Sequence, residues 1–251
     1  MIASLRLDMD KHTQKSGSIA PTGKDAGPPA HPPSRRAPGK APDLGVKTKA
    51  KLPDSGRGLI TIEKLVKAAG EVLAETGFEK LTSNAICARA GLTPPAFYHY
   101  YADKYEVLEE LAERLLRKQS DAFGDWVKAS AQGSDPMPSV ESLERLFHGL
   151  IDIASAEPGG IWTIRALRAL PNLNHVRLRW QRQYTDEIFR VVRSSIEETA
   201  WPLLWSRIRI LVEFGYVVDE LVYEEDKLSR ETVVREAARL IHGNLRSIFE
   251  T

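Results

Sequence analysis

Leu81 to Lys104, LTSNAICARAGLTPPAFYHYYADK, is the stretch on which the fold turns. It reads as two short helices joined by a tight turn at Ala90-Gly91-Leu92, with Phe97, Tyr98, His99, Tyr100 and Tyr101 gathered on the second. Thr82 and Thr93 stand where a hydroxyl oxygen can accept an orphan N–H of each helix. Pro94 and Pro95 would wreck a helix interior but suit its first two positions, where a missing N–H had no helical partner anyway. Gly91 allows a left-handed reversal, and Leu92 can plug the gap between the helices. Phe97 and Tyr101 are four apart and share a face, which points them inward with Ile86 and Leu92 and leaves Tyr98, His99 and Tyr100 outward. Two helices at such a turn outline a helix-turn-helix, the arrangement that places its second helix in the DNA major groove.

An outward row of Tyr, His and Tyr is costly unless it meets something. Tyr hydroxyls and imidazole N–H groups donate well to phosphate, and Lys104, near the N-terminus of the next helix, adds a cation. Asp103 and Glu106 have the spacing of a capping box, with Asp103 as N-cap. Packing alone accounts for Phe97 and Tyr101, whereas Tyr98 and His99 read as a clamp on the DNA backbone.

From about Ile60 to Leu111 the chain resembles the TetR family of bacterial transcriptional regulators. The resemblance rests on Glu75-Thr76-Gly77-Phe78 closing a first helix, then Leu81-Thr82, Ala88, Ala90-Gly91-Leu92-Thr93, Phe97-Tyr98-His99-Tyr100-Tyr101 and Lys104, in that order and spacing. It implies that Thr82, Ser83, Tyr98, His99 and Lys104 hold phosphates, and that Asn84, Pro95 and Ala96 lie near base edges, with His99 open to either role. Thr93 and Tyr100 complete the expected DNA contacts. Many relatives carry Lys or Arg where this chain has Pro94 and Pro95, so bidentate guanine reading from that turn is not available here. Asn84 could pair with adenine and Pro95 or Ala96 touch a thymine methyl, with DNA shape supplying further preference.

The whole chain has 251 residues, 42% of them apolar, and a formal net charge of +1. That length allows one or two globular domains and a tail, and the charge puts any DNA affinity on one local face rather than on the whole protein. Residues 1–57 are rich in Pro, Gly, Ser and Lys, with few large apolar residues to bury, and are expected to be a disordered tail. The opening Met-Ile-Ala-Ser-Leu-Arg has no sustained apolar run of the signal-peptide kind. The basic residues Arg35, Arg36, Lys40, Lys47, Lys49, Lys51 and Arg57 could reach along DNA; a plain solvated linker, or a start assigned too far upstream, explains them as well. The remaining chain divides into a helix-turn-helix domain at 58–104 and a helical ligand-binding and dimerisation domain at 105–251.

Helical periodicity predicts a first helix over Thr61–Thr76 and a long amphipathic one over Lys104–Ala131, followed by a polar loop at Gln132–Pro138. Helices then follow over Ser139–Ala156, Ile161–Leu170, Leu173–Glu198, Pro202–Glu225 and Arg230–Phe249. The last two are so apolar, from Leu203 to Val222 and from Val233 to Phe249, that two copies packed as a four-helix bundle would bury what one subunit leaves exposed. Between the middle helices, His148, Ile151, Trp162, Arg165, Trp180, Gln183 and Tyr184 are candidate walls and anchors of a small-molecule pocket. Phe147, Leu167, Phe189 and Trp201 extend the apolar part. The Arg run from Arg165 to Arg193 suits an anionic ligand or a solvated helix face equally.

Cys87, the only cysteine, excludes an internal disulfide and reads as a buried thiol on the second helix of the motif. His148 and Asp152 stand four apart, a spacing two metal ligands can use, but one such pair is weak evidence and no metal or cofactor is expected. No nucleophile elbow, phosphate loop, HExxH or CxxC is present, and no stretch is long and apolar enough for a membrane span. The expectation is therefore an all-α, non-enzymatic, cytoplasmic, homodimeric regulator. Its N-terminal three-helix helix-turn-helix domain would read a palindromic double-stranded DNA operator, and its C-terminal bundle would release that operator when a small organic ligand binds. The alternative is a DNA-bound adaptor of the same fold that works through a protein partner.

Overall fold

Helix α1 (Gly56–Thr76) carries Leu65, Val66, Ala69, Val72 and Leu73 on one buried stripe, the spacing of a helix with a single core-facing side. It extends five residues ahead of the expected Thr61. The Thr61 hydroxyl donates back to the Arg57 carbonyl at 3.0 Å, inside the helix. Gly77, in the left-handed region at φ 72°, ends α1 with its N–H on the Leu73 carbonyl at 3.0 Å.

The computed structural model describes residues 56–131 and 137–249, all within the unit Lys47–Thr251. The expected tail up to residue 55 and most of the expected loop at Gln132–Pro138 lie outside the described residues. After α1 come α2 (Ser83–Ala90), α3 (Pro94–Tyr100), α4 (Lys104–Ala131), α5 (Val140–Ala156), α6 (Gly160–Ala169), α7 (Asn174–Val192), α8 (Trp201–Glu224) and α9 (Arg230–Phe249). No strand occurs among the described residues; the fold is all-α.

Most boundaries fall within a residue of those expected. Ser139 caps α5 by accepting the Ser142 N–H at 3.2 Å. Besides the start of α1, the exception is α7, which stops at Val192 rather than Glu198 and gives way to short 3₁₀ turns at Arg193–Ser195 and Glu198–Ala200. Between them Ile196 is extended, at φ −130° and ψ 139°, and its carbonyl accepts the Trp201 indole N–H at 3.3 Å. The Ser194 hydroxyl turns back to the Val191 carbonyl at 3.4 Å, the local competition by which serine weakens a helix end.

One apolar cluster runs from α1 through α2, α3 and α4 into α6 and α7, and includes Leu65, Leu81, Ile86, Phe97, Leu108, Leu116, Leu167 and Tyr184. A second joins α5, α8 and α9 around Phe147, Ile151, Ile208, Val234 and Ile241. Apolar packing thus continues across Lys104 without a seam. Where α1 crosses the turn between α5 and α6, backbone meets backbone: a Cβ on Gly70 would stand 2.5 Å from the Pro158 carbonyl oxygen, and one on Gly159 2.6 Å from that of Gly70. Only glycine permits that approach.

Candidate nucleic-acid interface and internal cavity

The turn between α2 and α3 is fixed by its own residues. Thr82 is extended and its hydroxyl oxygen accepts the Ala85 N–H at 3.1 Å. Gly91 takes φ 64° and ψ 35°, its N–H reaching the Ala88 carbonyl at 3.4 Å while the Leu92 N–H reaches that of Cys87 at 3.0 Å. Those two bonds form a Schellman motif, and they aim α3 away from α2.

Thr93 occupies the N-cap of α3, but its side chain makes no capping bond. Pro94 and Pro95 have no N–H to offer, and the next one, from Ala96, is taken by the Thr93 carbonyl at 3.0 Å. The expected side-chain cap is therefore absent for a chemical reason, and Thr93 is exposed.

Phe97 is fully buried and Tyr101 is buried beside it, their ring centroids 5.7 Å apart. Thr82, Asn84, Thr93, Pro95, Tyr98 and His99 are exposed, and Ser83, Ala96 and Lys104 half-buried. The Tyr98 and Ser83 hydroxyls meet at 3.0 Å, which ties the outer edge of α3 to the start of α2. Tyr100 departs from the outward placement expected of it: it is half-buried and packs against the core cluster. Three residues after Phe97, it falls near the same face of α3.

At the start of α4, the Asp103 carboxylate accepts the N–H groups of Tyr105 at 2.8 Å and Glu106 at 3.2 Å. Glu106 returns a bond to the N–H of Ala102 at 2.6 Å, one residue earlier than a standard capping box would have it. Lys104, the first residue of α4, holds its ammonium 4.2 Å from the centre of the Phe78 ring, beside the partly positive end of the helix. Arg89 is committed elsewhere, to Glu71 at 3.4 Å and Glu75 at 2.8 Å. Cys87 is buried, and burial pushes its thiol up, away from reactivity.

The residues expected to line a ligand pocket are not brought together around one space. Tyr184 lines an apolar cavity in which the others take no part, and Gln183 lines a separate surface groove along α7. Ile151 is core beside Phe147. The Arg230 guanidinium donates to His148 Nδ1 at 3.1 Å and pairs with Asp152 at 2.8 Å, so a cation sits where a metal would have bridged that pair. Trp162 covers Gly77 at the end of α1, its ring 3.5 Å from where a Cβ would stand, and Arg165 stacks on it at 5.1 Å while pairing with Glu224 at 3.1 Å. Trp180 donates to Glu113 at 3.2 Å and Gln183 to Ser120 at 3.3 Å, both on the α4 side of α7. Within the Arg run, Arg168 pairs with Glu220 at 3.0 Å, Arg177 with Glu213 at 3.1 Å and Arg179 with Glu113.

The space itself, about 140 Å³, lies between α4, α5, α7, α8 and α9. Phe123, Trp126, Phe147, Tyr184, Ile208 and Val212 give it largely apolar walls, and Tyr216 and Asp219 bring polar groups from α8. Asp219 went unread in the sequence, although the spacing of Ile208, Val212, Gly215 and Tyr216 continues through it. A lone acid on the buried stripe of an apolar helix is the signal that would have found it.

Residues 65–111 match the family model described as bacterial regulatory proteins, tetR family. Over 59 residues the chain is 36% identical to an uncharacterized HTH-type transcriptional regulator, YvdT, of Bacillus subtilis (strain 168); the match covers 24% of this chain and 30% of that protein. Two solved structures share the fold at a TM-score of 0.58. One is a tetR-family transcriptional regulator from Streptomyces coelicolor, 13% identical, over 75% of this chain and 82% of that one. The other is a transcriptional regulator from Rhodococcus sp. Rha1, 18% identical, over 75% and 97%. SmeT, the repressor of the Stenotrophomonas maltophilia multidrug efflux pump SmeDEF, is similar at a TM-score of 0.55, 20% identical, over 74% and 89%.

Proposed function

Because the chain belongs, through residues 65–111, to the tetR family of bacterial regulatory proteins, we propose that it is a homodimeric, ligand-responsive repressor that leaves a palindromic operator when a small molecule fills the cavity. The observation that carries the DNA-binding part is the exposed row Thr82, Asn84, Pro95, Tyr98 and His99 on a helix pair braced by the Gly91 turn and the buried Phe97. Thr82, Ser83, Tyr98, His99 and Lys104 contact phosphates and fix the register; Asn84, Pro95 and Ala96 meet base edges. SmeT is named as a repressor, and that sign of regulation is the one we carry over. The protein acts in the cytoplasm, where its DNA is; no helix among the described residues is long and apolar enough to cross a membrane.

Dimerisation is supported by what α8 and α9 leave outside. Much of their apolar surface is core of the single chain, including Leu204, Ile208, Val218, Val234 and Ile241. Leu203, Ile210, Leu221 and Leu240 remain exposed, at 57%, 67%, 40% and 64%, and the first three recur along one side of α8. A second copy covers them and sets two α3 helices one turn of DNA apart.

Release follows from α4. Its 28 residues form a rod roughly 42 Å long, with Lys104 at one end and Phe123 and Trp126 on the cavity wall near the other. A ligand that displaces those rings shifts the population toward dimers whose α3 helices no longer match the groove spacing. The glycine contact of Gly70 with Gly159 offers α6 a second route to α1.

The test is footprinting of the purified chain on DNA from its own promoter region at two salt concentrations. The expected result is one protected palindrome, bound by a dimer, with affinity falling as salt rises. Diffuse, salt-sensitive binding without a protected site would overturn the operator reading and favour a DNA-bound adaptor acting through a protein partner.

A further inference from the structure

Asp219 has an unusual setting. It is 8% exposed, it lines the cavity, and among the described residues no hydrogen bond or ion pair holds its carboxylate. Burial, and to a smaller degree Glu220 beside it, pushes its pKa up to about 7. Three residues earlier on the same helix, the Tyr216 hydroxyl is buried and has no hydrogen-bond partner, and Tyr216 lines the cavity too. Two unpartnered polar groups on one helix lining a largely apolar space are expensive unless something pairs with them.

The lining residues include no Lys, Arg or His, so Asp219, once ionised above about pH 7, is the one charged group among them. That decides the sign of the occupant. An anion would meet a like charge with no cation on the lining itself, Arg177 and Arg209 acting on Tyr216 from outside it and pairing with Glu213; a neutral hydrocarbon would fill the space but leave the carboxylate and hydroxyl unpaired. A cation finds a carboxylate and a hydroxyl oxygen, with the aromatic residues Phe123, Trp126 and Tyr184 on the walls. Size narrows the body: about 140 Å³ is close to the roughly 150 Å³ apolar cavity that stays dry and takes benzene.

We propose that the cavity binds a small organic monocation, an amine on a single-ring apolar body, whose ammonium pairs with the Asp219 carboxylate and donates to the Tyr216 hydroxyl oxygen. This deepens the ligand-responsive reading and rests on it only for the consequence at DNA; binding itself requires no operator.

Calorimetric titration of the full chain, without DNA, compares benzylamine with benzyl alcohol and benzoate, three probes with the same ring and different charge. Benzylamine binds about tenfold or more tighter than benzyl alcohol, and benzoate does not bind. In Asp219→Asn the two neutral-to-cationic affinities converge while benzyl alcohol binds as before. Equal affinity of the wild type for benzylamine and benzyl alcohol, tighter binding of benzoate, no binding of any probe, or a benzylamine preference that survives Asp219→Asn would each overturn the proposal. The ranking of the three probes on the wild type holds the test even where the variant folds poorly. Benzylamine binding without any change in operator occupancy would leave this inference standing and break the reading of ligand-controlled release.

Discussion

Helices α2 and α3 are shaped by residues a few positions away, whereas the cavity is shaped by five helices whose contributors stretch from Gln119 to Leu245. In the first region the backbone N–H groups at the turn and the cap close locally: Ala85 on Thr82, Gly91 on Ala88, Leu92 on Cys87. In the second, the side chains that matter come from distant segments, and polar groups are left over: the Tyr216 hydroxyl and the Asp219 carboxylate. A region whose backbone bonds are satisfied by its neighbours presents a rigid surface, as a reader of DNA requires. A region with a void and unpaired polar groups is poised to respond to an occupant.

The largest effect expected is at the place where the two regions share a core. Phe97→Ala removes a fully buried ring and should cost about 3–5 kcal/mol. Because the cluster around Phe97 continues through Leu116 to Tyr184, denaturant unfolding followed by fluorescence and by circular dichroism should still show one coincident transition, at lower denaturant. Two separate transitions would mean that the helix-turn-helix and the bundle are energetically independent.

Next in size is the acid in the cavity. A carboxyl whose folded pKa is raised to about 7 binds its proton in the folded state after the unfolded chain has lost it. Its contribution therefore worsens as pH rises from about 4 to about 7, and the penalty is complete above that. Glu220 on the same helix adds to the shift, and Tyr184 and Tyr216 feel the Asp219 charge in turn. Asp219→Asn should consequently melt several degrees higher than the wild type at pH 8 and at nearly the same temperature at pH 4, where both folded and unfolded chains begin to hold the proton. An equal difference at both values would locate its effect in packing rather than in charge.

The smallest effect separates two threonines that look alike. Thr82→Ala should cost about 1 kcal/mol through its lost cap. Thr93→Ala should change stability by no more than a few tenths, since its hydroxyl makes no capping bond. Equal losses in chemical denaturation would show that the prolines of α3 do not set the difference.

The same contrast explains what could be read in advance. Gly91, Pro94 and Pro95 act on the backbone at their own positions, so the turn and the start of α3 were visible in the sequence. The 28-residue stripe of α4 was visible too, because its period is internal to the helix. The cavity was not. Trp162, Trp180 and Gln183 suggested a pocket by chemistry, but which face of α6 or α7 meets which neighbour depends on tertiary packing: Trp162 went to Gly77, Trp180 to Glu113 and Gln183 to Ser120. Phe123 and Trp126 lie within α4, but that they form a wall is set by the helices opposite them. Tyr100 shows the limit inside the motif itself, where a three-residue offset from Phe97 outweighed the expectation of an outward row.

The most direct test of the account is the affinity of the wild type and of a Tyr98→Phe, Lys104→Ala double variant for promoter DNA and for a scrambled fragment, across a salt series, with Asn84→Ala alongside. The account predicts that the double variant loses affinity for both fragments alike, with a salt slope shallower by about 1, and that Asn84→Ala loses affinity mainly for the promoter. A double variant that binds like the wild type, or an Asn84→Ala loss equal on both fragments, would contradict the assignment of this face as a clamp that reads DNA.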